Sequence, residues 1–412
     1  MFKLLILLSF FTGIALYIPY QTGIEAEKRL TSFNLPFTNV EKLDNNHQRG
    51  WFSSQVKSDF LLQHADKNVP IHLQHQIEHG LLPIKPTVIH TQIDLPQSQQ
   101  QLMSLFGDAT SIKLKTTIRA TNQHTTVIEI PASSQPITLR NMQWQWQAAT
   151  SEIHFSSNLS QLKNRFVIPN LEIKTPKRTL HLKDLSINLF LSPVNQKIMI
   201  KEGKITIASL NSETVQGVKT QLQQINLQFK NQFDKEYFDI KTTLQVNKGH
   251  VDGVPYHGEG KIDVNHLHLF HFQTGLIKLG KSLFAPQAQR QLRAATALFQ
   301  HGLPVLNSKP ALAITQTELM TEDGKINFNG QVVLNPLQAY MLFDPATHLV
   351  NQLDGQVQID LSQQFVEKEE ENNQLDKLIP AKTWLKEGWL KPATTSHYTM
   401  QLQLQNGQII IN

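Results

Sequence analysis

Along most of this chain apolar and polar residues alternate in steps of two, and that period restricts the body to β-structure. The runs Val69–Glu78 (VPIHLQHQIE) and Ser111–Ala120 (SIKLKTTIRA) both show it. Successive side chains of a strand point to opposite faces, so the pattern gives each strand one apolar and one wettable side. Thr121 to His124 then joins the second run to Thr125–Ile130 as a hairpin. Further strands are expected at Gln196–Ile207, Tyr237–Val246, Gly260–Leu269, Lys325–Leu334, Gln356–Leu361 and Thr399–Ile411. Glu202-Gly203, Asp252-Gly253, Asp323-Gly324, Asp354-Gly355 and Asn406-Gly407 have the chemistry of tight hairpin turns. Period two with one polar face means antiparallel sheet, because parallel strands are buried on both sides.

One short element recurs. Ile137–Trp144, Phe166–Ile173 and Leu180–Ile187 each carry apolar residues at their first, third, sixth and eighth positions, around Asn141, Asn170 or Asp184. A weaker copy runs from Thr220 to Leu227. The apolar parity flips at the central residue. A β-bulge does this, its extra residue re-aiming the strand, and bulges in series would curl a long sheet. Short strands joined by turns at Asn141, Asn170 and Asp184 fit the same spacing.

Two segments leave the pattern. Gln287–His301 places Ala288, Leu292, Ala295, Leu298 and Phe299 in a helical stripe, with Pro286 at its first turn, Gly302 as its stop and Pro304 beyond. Phe365–Leu390 continues the helical reading through Leu375, Leu378, Leu385 and Trp389, interrupted by Pro380 and Gly388. Its acidic residues Glu367, Glu369, Glu370 and Glu371 suit a solvated helix start, where negative charge meets the dipole.

The N-terminus carries a different signal. Leu4 to Ile18 (LLILLSFFTGIALYI) is apolar and uncharged, with Lys3 before it and Glu25, Glu27, Lys28 and Arg29 after. At ~1.5 Å per residue, Phe2 to Tyr20 comes close to the ~30 Å hydrocarbon core of a bilayer. Tyr17 and Tyr20 stand where an interfacial aromatic belt would be. A cleaved signal peptide needs small residues at the cut, and Ala15 to Ala26 offers no such pair. The segment therefore reads as an uncleaved anchor, with the body outside the cytoplasm.

The expected fold is mainly β (α+β): a long, curved antiparallel sheet with one or two packing helices, preceded by a single N-terminal transmembrane helix. Its parts are the anchor at 1–24, a β-rich periplasmic region at 25–273 and a helical insertion at 274–304. C-terminal strands come last, at 305–412, with a helix at about 365–390. Of the 412 residues, 40% are hydrophobic and 17% charged, enough for a core and too apolar for a disordered chain. The net charge of +5 is spread thinly, with no dense basic block among aromatics, so nucleic acid is not an expected partner. The chain has no cysteine, which excludes disulfides, thiolate metal sites and a cysteine nucleophile.

Histidine is the abundant reactive side chain, with 17 copies. His266 and His268 share a strand face and could chelate zinc, but His271 should fall opposite, and no third ligand is evident. His72, His75 and His79 raise the same idea and fail likewise, His72 being out of parity. These histidines are expected as polar alternates on solvated strand faces. No nucleophile elbow, phosphate loop or zinc-protease motif is present. Ser53 and Ser54 lack a paired base at any recognisable spacing. No catalytic, cofactor-binding or metal residue is assigned.

At Arg49-Gly50-Trp51-Phe52-Ser53-Ser54 the chain becomes recognisable. Tyr20-x-x-Gly23 precedes this block, and His75-Gln-Ile77-Glu-His79-Gly80 comes after it. Later come Asp323-Gly324, Gly330 and Leu334-Asn335-Pro336-Leu337, then a terminal strand through Asn406-Gly407. In that order these resemble the YdgA-like family of Gram-negative envelope proteins, across essentially the whole chain. Leu81 stands where that family leads one to expect proline. The resemblance implies an inner-membrane anchor and a periplasmic body, and it brings no established reaction. Tyr20, Gly23, Arg49, Gly50, Trp51, Phe52, Ser53, Ser54, His79 and Gly80 are its motif residues, with a structural role expected. Trp51 and Phe52 are expected to pack as a bulky plug at the sheet end nearest the membrane.

The function expected is non-enzymatic: binding of a lipid or other hydrophobic ligand, or envelope scaffolding. The bulge-like repeats give a pattern similar to that of AsmA-like envelope proteins, an analogy of architecture alone. A platform for an envelope protein partner is the alternative. A hydrolase using histidine and carboxylates is a weaker one.

Overall fold

A computed structural model describes residues 24, 40–64, 67–80, 85–94, 111–119, 121, 123–133, 136–139, 142–156, 160–194, 197–251, 254–283, 292–294, 296–322, 324–336, 351–368, 380–394, 396–405 and 408–411. The N-terminal apolar segment, Tyr20, Gly23 and Glu369 to Glu371 lie outside them. Among the described residues no helix is long and apolar enough to cross a membrane. The fold is mainly β, as expected, in antiparallel sheet with few helices. It divides into two compact units, residues 1–176 with 185–199, and 177–184 with 200–412.

In the first unit six strands run as a meander, each paired with the next. They are β1 (Val40–Arg49), β2 (Ser53–His64), β3 (Lys67–Glu78), β4 (Thr87–Asp94), β5 (Ser111–Ile118) and β6 (Gln123–Ile130). A small hairpin of β7 (Ile137–Leu139) and β8 (Met142–Trp146) comes after them. Next, β9 (Ala149–Ser156) lies between β6 and β10 (Leu162–Lys174). The core holds Val56 and Ile77, 1% and 0% exposed, with Ile89 packed against them. The hairpin predicted around Thr121–His124 is present as β5 and β6.

The repeat resolves differently at each copy. In the first, Leu139 pairs with Met142, so the chain reverses between them, and Asn141 itself lies outside the described residues. In the second, β10 runs straight through Asn170 but changes partner, from β9 up to Val167 to β8 from Leu171. In the last two the backbone turns left-handed inside a continuous strand: φ is +51° at Asp184 in β11 (Arg178–Val194) and +53° at Gln224 in β13 (Lys219–Phe233). Such a φ is uncommon for a residue with a Cβ. At Gln224 the ladder to β12 (Lys197–Thr214) steps from Ile207↔Ile225 to Ser209↔Gln223, and the apolar parity changes there.

The second unit is a long meander. From β12 and β13 it continues through β14 (Tyr237–Val251), β15 (Val254–His268), β16 (Ala311–Thr321), β17 (Gly324–Leu334) and β18 (Leu353–Ser362). β19 (Lys391–Thr394) pairs with β20 (His397–Gln405), which also pairs with β18 and β21 (Gln408–Ile411). Val251 pairs with Val254 and Gln405 with Gln408, so the strands reverse between them, while Asp252-Gly253 and Asn406-Gly407 themselves lie outside the described residues. Glu202-Gly203 and Asp354-Gly355 do not turn. Both lie inside strands, where Gly203 pairs with Phe229 and Gly355 with Val332. A Cβ on Gly355 would collide with the Gln331 carbonyl, so close backbone approach, not a turn, requires this glycine.

Residues directly opposite in an antiparallel ladder share a face. One row therefore runs Ile207–Ile225–Val246–Gly258–Leu319–Ile326–Leu361–Tyr398. On the same face Ile205, Leu227 and Leu244 align, as do Thr242, Ile262 and Ile314. The other face carries Thr206, Asn226, Gln245, Glu259 and Glu318, where Asn226 donates to Gln245 Oε1 at 3.3 Å and Gln245 to Glu259 Oε2 at 2.9 Å. The sheet is amphipathic.

Helices cover parts of this unit. α1 (Leu269–Leu283) leaves the end of β15, and a π-turn at Leu298–Gly302 leads into α2 (Leu303–Leu306). Gly302 is thus no stop: the chain stays helical, with Pro304 in the first turn of α2, where its missing N–H costs nothing. α3 (Gln363–Lys368) and α4 (Ala381–Lys386) belong to the core of Ile326, Ile359, Leu361, Phe365, Val366, Ala381, Leu390 and Met400. Glu367 lies beyond the first turn of α3 and accepts from Gln363 Nε2, so the expected dipole role does not fall to it.

Candidate functional site

The motif residues around Gly50 and His79, 25 positions apart for the closest pair, meet at one end of the β1–β2–β3 sheet. Gly50, Trp51 and Phe52 form the apex beyond the last β1–β2 pair, Arg49↔Ser54. Gly50 N donates to Ser53 O at 2.8 Å, which closes the apex. His79, just past the end of β3, reaches across it. Its backbone N–H donates to Phe52 O at 2.8 Å and its Nδ1 to Trp51 O at 3.0 Å. A carbonyl only accepts, so Nδ1 carries the proton, and in the neutral ring Nε2 accepts from the Ser54 hydroxyl at 2.8 Å. Gly80 N donates to Thr87 Oγ1 at 3.0 Å, and a Cβ on Gly80 would strike the Lys85–Thr87 backbone.

This is a serine with a paired base, which the sequence spacing did not reveal. The Oγ–Nε2 distance suits a nucleophile and its base, with a carbonyl in the orienting position. Yet Ser54 is 1% exposed and His79 4%, so neither reacting atom meets solvent. The arrangement works as a latch: one histidine satisfies two apex carbonyls and a buried hydroxyl. Its product is the posture of the apex. Trp51 is 58% and Phe52 55% exposed. The expected packing plug is therefore corrected. Hairpin geometry buries Ser54 and Val56 on one strand face and leaves the two aromatics beyond the ladder, facing out. Arg49 and Ser53 are exposed beside them.

A second cluster gathers where β15 meets the helices. The strand ends at His268 and α1 begins at Leu269, so His271 lies one helical turn from His268, with ring centroids 4.6 Å apart. The expectation that His271 falls on the opposite face fails because the period changes from strand to helix between them. His301, in the π-turn, stands 5.7 Å from His271. His301 is 8% exposed. Nδ1 of His268 and His271 and both ring nitrogens of His301 are buried without hydrogen-bond partners. Burial lowers the pKa of His271, aided by repulsion from His268 and His301. Burial also lowers that of His301, with Lys278 adding repulsion. His266 is not in this group. It takes φ +65° at a bulge and stacks on Tyr237 at 4.1 Å. Among the described residues no set of three or more His, Cys, Asp or Glu is placed to hold a metal ion. His72 Nδ1 bonds Asp59 at 2.7 Å and His75 Nδ1 bonds Thr91 Oγ1 at 2.8 Å, so His72, His75 and His79 each serve separate contacts.

The polar faces hold shallow depressions. One of about 430 Å³ on the first unit is lined by Gln55, Lys57, Gln76, His90, Lys115 and Glu129, among others.

The body so defined is an antiparallel-sheet protein with an amphipathic sheet and a latched aromatic hairpin. It belongs to a family of bacterial proteins of unknown function, DUF945, whose profile matches residues 1–412. No curated protein and no solved structure matches the chain.

Proposed function

We propose that this is a non-enzymatic, YdgA-like envelope protein that holds a lipid acyl chain along the apolar sheet face of its second unit. In this reading the N-terminal apolar segment anchors it in the bacterial inner membrane and the body stands in the periplasm. The observation that carries the ligand is the exposure of that face. Leu244, Ile262 and Leu312 keep 40%, 39% and 40% of their surface, although each lies on the face that becomes the core farther along the sheet. The lining is aliphatic and uncharged, with Ile205, Ile207, Ile225 and Leu227 continuing it. Across β12 to β16 it is about 20 Å wide at ~4.8 Å per strand, the reach of an extended acyl chain. Methylene groups laid on aliphatic side chains release water without needing hydrogen bonds.

The test is photocrosslinking in native membranes with a phospholipid bearing a diazirine in its acyl chain. Crosslinks should map to β13–β16 and fall several-fold in a Leu244→Gln, Ile262→Gln variant that melts like the parent. Absence of crosslinks, or crosslinks indifferent to those changes, would overturn the reading.

One observation favours a protein partner instead. Among the described pairings β21 is joined to β20 alone, and Ile409 and Ile410 on it are 60% and 39% exposed. Such an edge suits strand addition by another chain. A single protein crosslinked to residue 409, with no lipid at 244, would favour that platform.

A further inference from the structure

We infer that the Gly50–Phe52 apex is a membrane-contacting finger, which seats Trp51 and Phe52 in the headgroup region of a bilayer rich in anionic phospholipid. This stands independently of the acyl-chain site, which lies in the other unit.

Three features point to a lipid surface. The first is chemical. Trp51 and Phe52 are adjacent, more than half exposed, and offer one amphipathic ring and one apolar ring. Tryptophan favours the headgroup level, where its body is apolar and its N–H stays wet. The second is charge. From Asp44 to Asp59 the ionisable residues between are His47, Arg49 and Lys57, with no carboxylate. An anionic surface would attract this stretch, although the partly exposed Glu78, which pairs with Ser53 across the ladder and has His90 3.9 Å away, stands at the foot of the apex.

The third is the latch. A loop entering the interface must not bring bare peptide groups with it, because an unsatisfied carbonyl in a poorly hydrated place is costly. Here the Trp51 and Phe52 carbonyls both accept from His79, at 3.0 and 2.8 Å, and Gly50 N donates to Ser53 O at 2.8 Å. The apex therefore has these two carbonyls and the Gly50 N–H bonded within the protein, and its aromatic side chains exposed. It is also held by buried groups, so contact with lipid orders little that is not ordered already. A protein hot spot of Trp would more commonly lie within a flat or concave patch ringed by shielding residues. This apex is two aromatics at a strand end.

The chain has no cysteine, so a single label is clean. Phe52→Cys in the full chain would carry an environment-sensitive dye, with Lys219→Cys as a control whose native side chain is 65% exposed. Both proteins would be incorporated into vesicles of phosphatidylethanolamine and phosphatidylglycerol, with incorporation checked by flotation. The position-52 dye should shift to the blue and be quenched by lipids with brominated acyl chains, and the control dye should do neither. Vesicles of phosphatidylcholine alone should weaken the position-52 response. A position-52 dye that stays in water on floated protein overturns the inference. So does a shift that needs an added envelope protein, which would make the finger a protein contact. Because Phe52→Cys removes one ring, the intact apex is read separately by Trp51 fluorescence, in a chain whose other four tryptophans are phenylalanine. Quenching by the same lipids supports the inference and its absence overturns it.

Discussion

Two stretches of one sheet face in the second unit have the same residue types and different fates. Around β17 and β18, Ile326 and Leu361 are 0% exposed beneath Phe365, Val366 and Ala381. Three strands away Leu244 on β14 is 40% exposed on the same face. Strand register makes both stretches one surface, and period two alone cannot tell them apart. The difference lies in the segments that connect the strands. β18 leads directly into α3, and α4 precedes β19, so the C-terminal strands bring their own cover. β12 to β14 are joined by tight turns and bring none. Full burial of a leucine stabilises by roughly 1.5–3 kcal/mol. At Leu361 that gain belongs to the fold. At Leu244, 40% exposed, part of it is not taken by the fold, and under the proposed reading an acyl chain would take it.

The largest effect expected is at the covered end. Leu361→Ala would open a cavity among side chains that have no room to collapse, lowering stability by about 2–5 kcal/mol. Urea titration of the full chain reads this directly. A loss under about 1 kcal/mol would mean that the cover is loose and the two stretches are alike.

The same contrast between finished and unfinished surroundings separates two buried histidines. His79 has partners on both ring nitrogens and His301 on neither. His79→Ala would leave the Ser54 hydroxyl and the Trp51 carbonyl unsatisfied, with a loss of about 1–3 kcal/mol. It should also loosen the aromatic apex, seen as faster hydrogen exchange at residues 50–53.

His301 and His271 predict a pH dependence instead. In the unfolded chain they take protons near pH ~6.5, and in the folded chain burial and mutual repulsion hold their pKa lower. Below that pH the unfolded state binds more protons. The stability is therefore complete above pH ~6.5 and declines as the pH falls through the lowered folded values. The groups facing the pair are His268 on β15, Lys278 on α1 and, nearby, Tyr237 and His266. None is a carboxylate that would reverse the sign. The melting temperature should drop on acidification from about pH 7 to about pH 5. The drop should shrink in His271→Gln, His301→Gln. An equal drop in both proteins would place the acid sensitivity elsewhere.

Much of the fold was legible because alternation acts locally. Val69–Glu78 and Lys325–Leu334 read as strands within a residue or two of β3 and β17. The misreadings came where a local sign has two physical causes. Gly203 and Gly355 look like turn glycines but sit in ladders, and only the partner strand shows why. The repeats around Asn141 and Asp184 share one spacing, yet in one the chain reverses between Leu139 and Met142 and in the other it runs on as a strand, with a left-handed φ at Asp184. The candidate site was half legible. Its motif residues were named, but the Ser54–His79 bond joins strands whose register no single sequence reveals. The His268–His271 contact depended on a strand becoming a helix between Leu267 and Phe270. A period-two reading carried past His268 necessarily misplaces the second ring.

The smallest effect on stability is the most informative about the open stretch. Leu244 pairs with Leu227 on one side and Gly260 on the other, and keeps 40% of its surface. Leu244→Gln removes little buried area and leaves no polar atom without water, so stability should change by no more than about 0.5 kcal/mol. Bound acyl chain should nevertheless fall several-fold, because the amide would need hydrogen bonds that methylene groups cannot give. Thermal melts with and without lipid, on the same preparation, separate the two terms. A stability loss as large as that at Leu361 would mean that Leu244 is already packed within the protein. Its exposed surface would then offer no site, and the two ends of the face would differ in degree only.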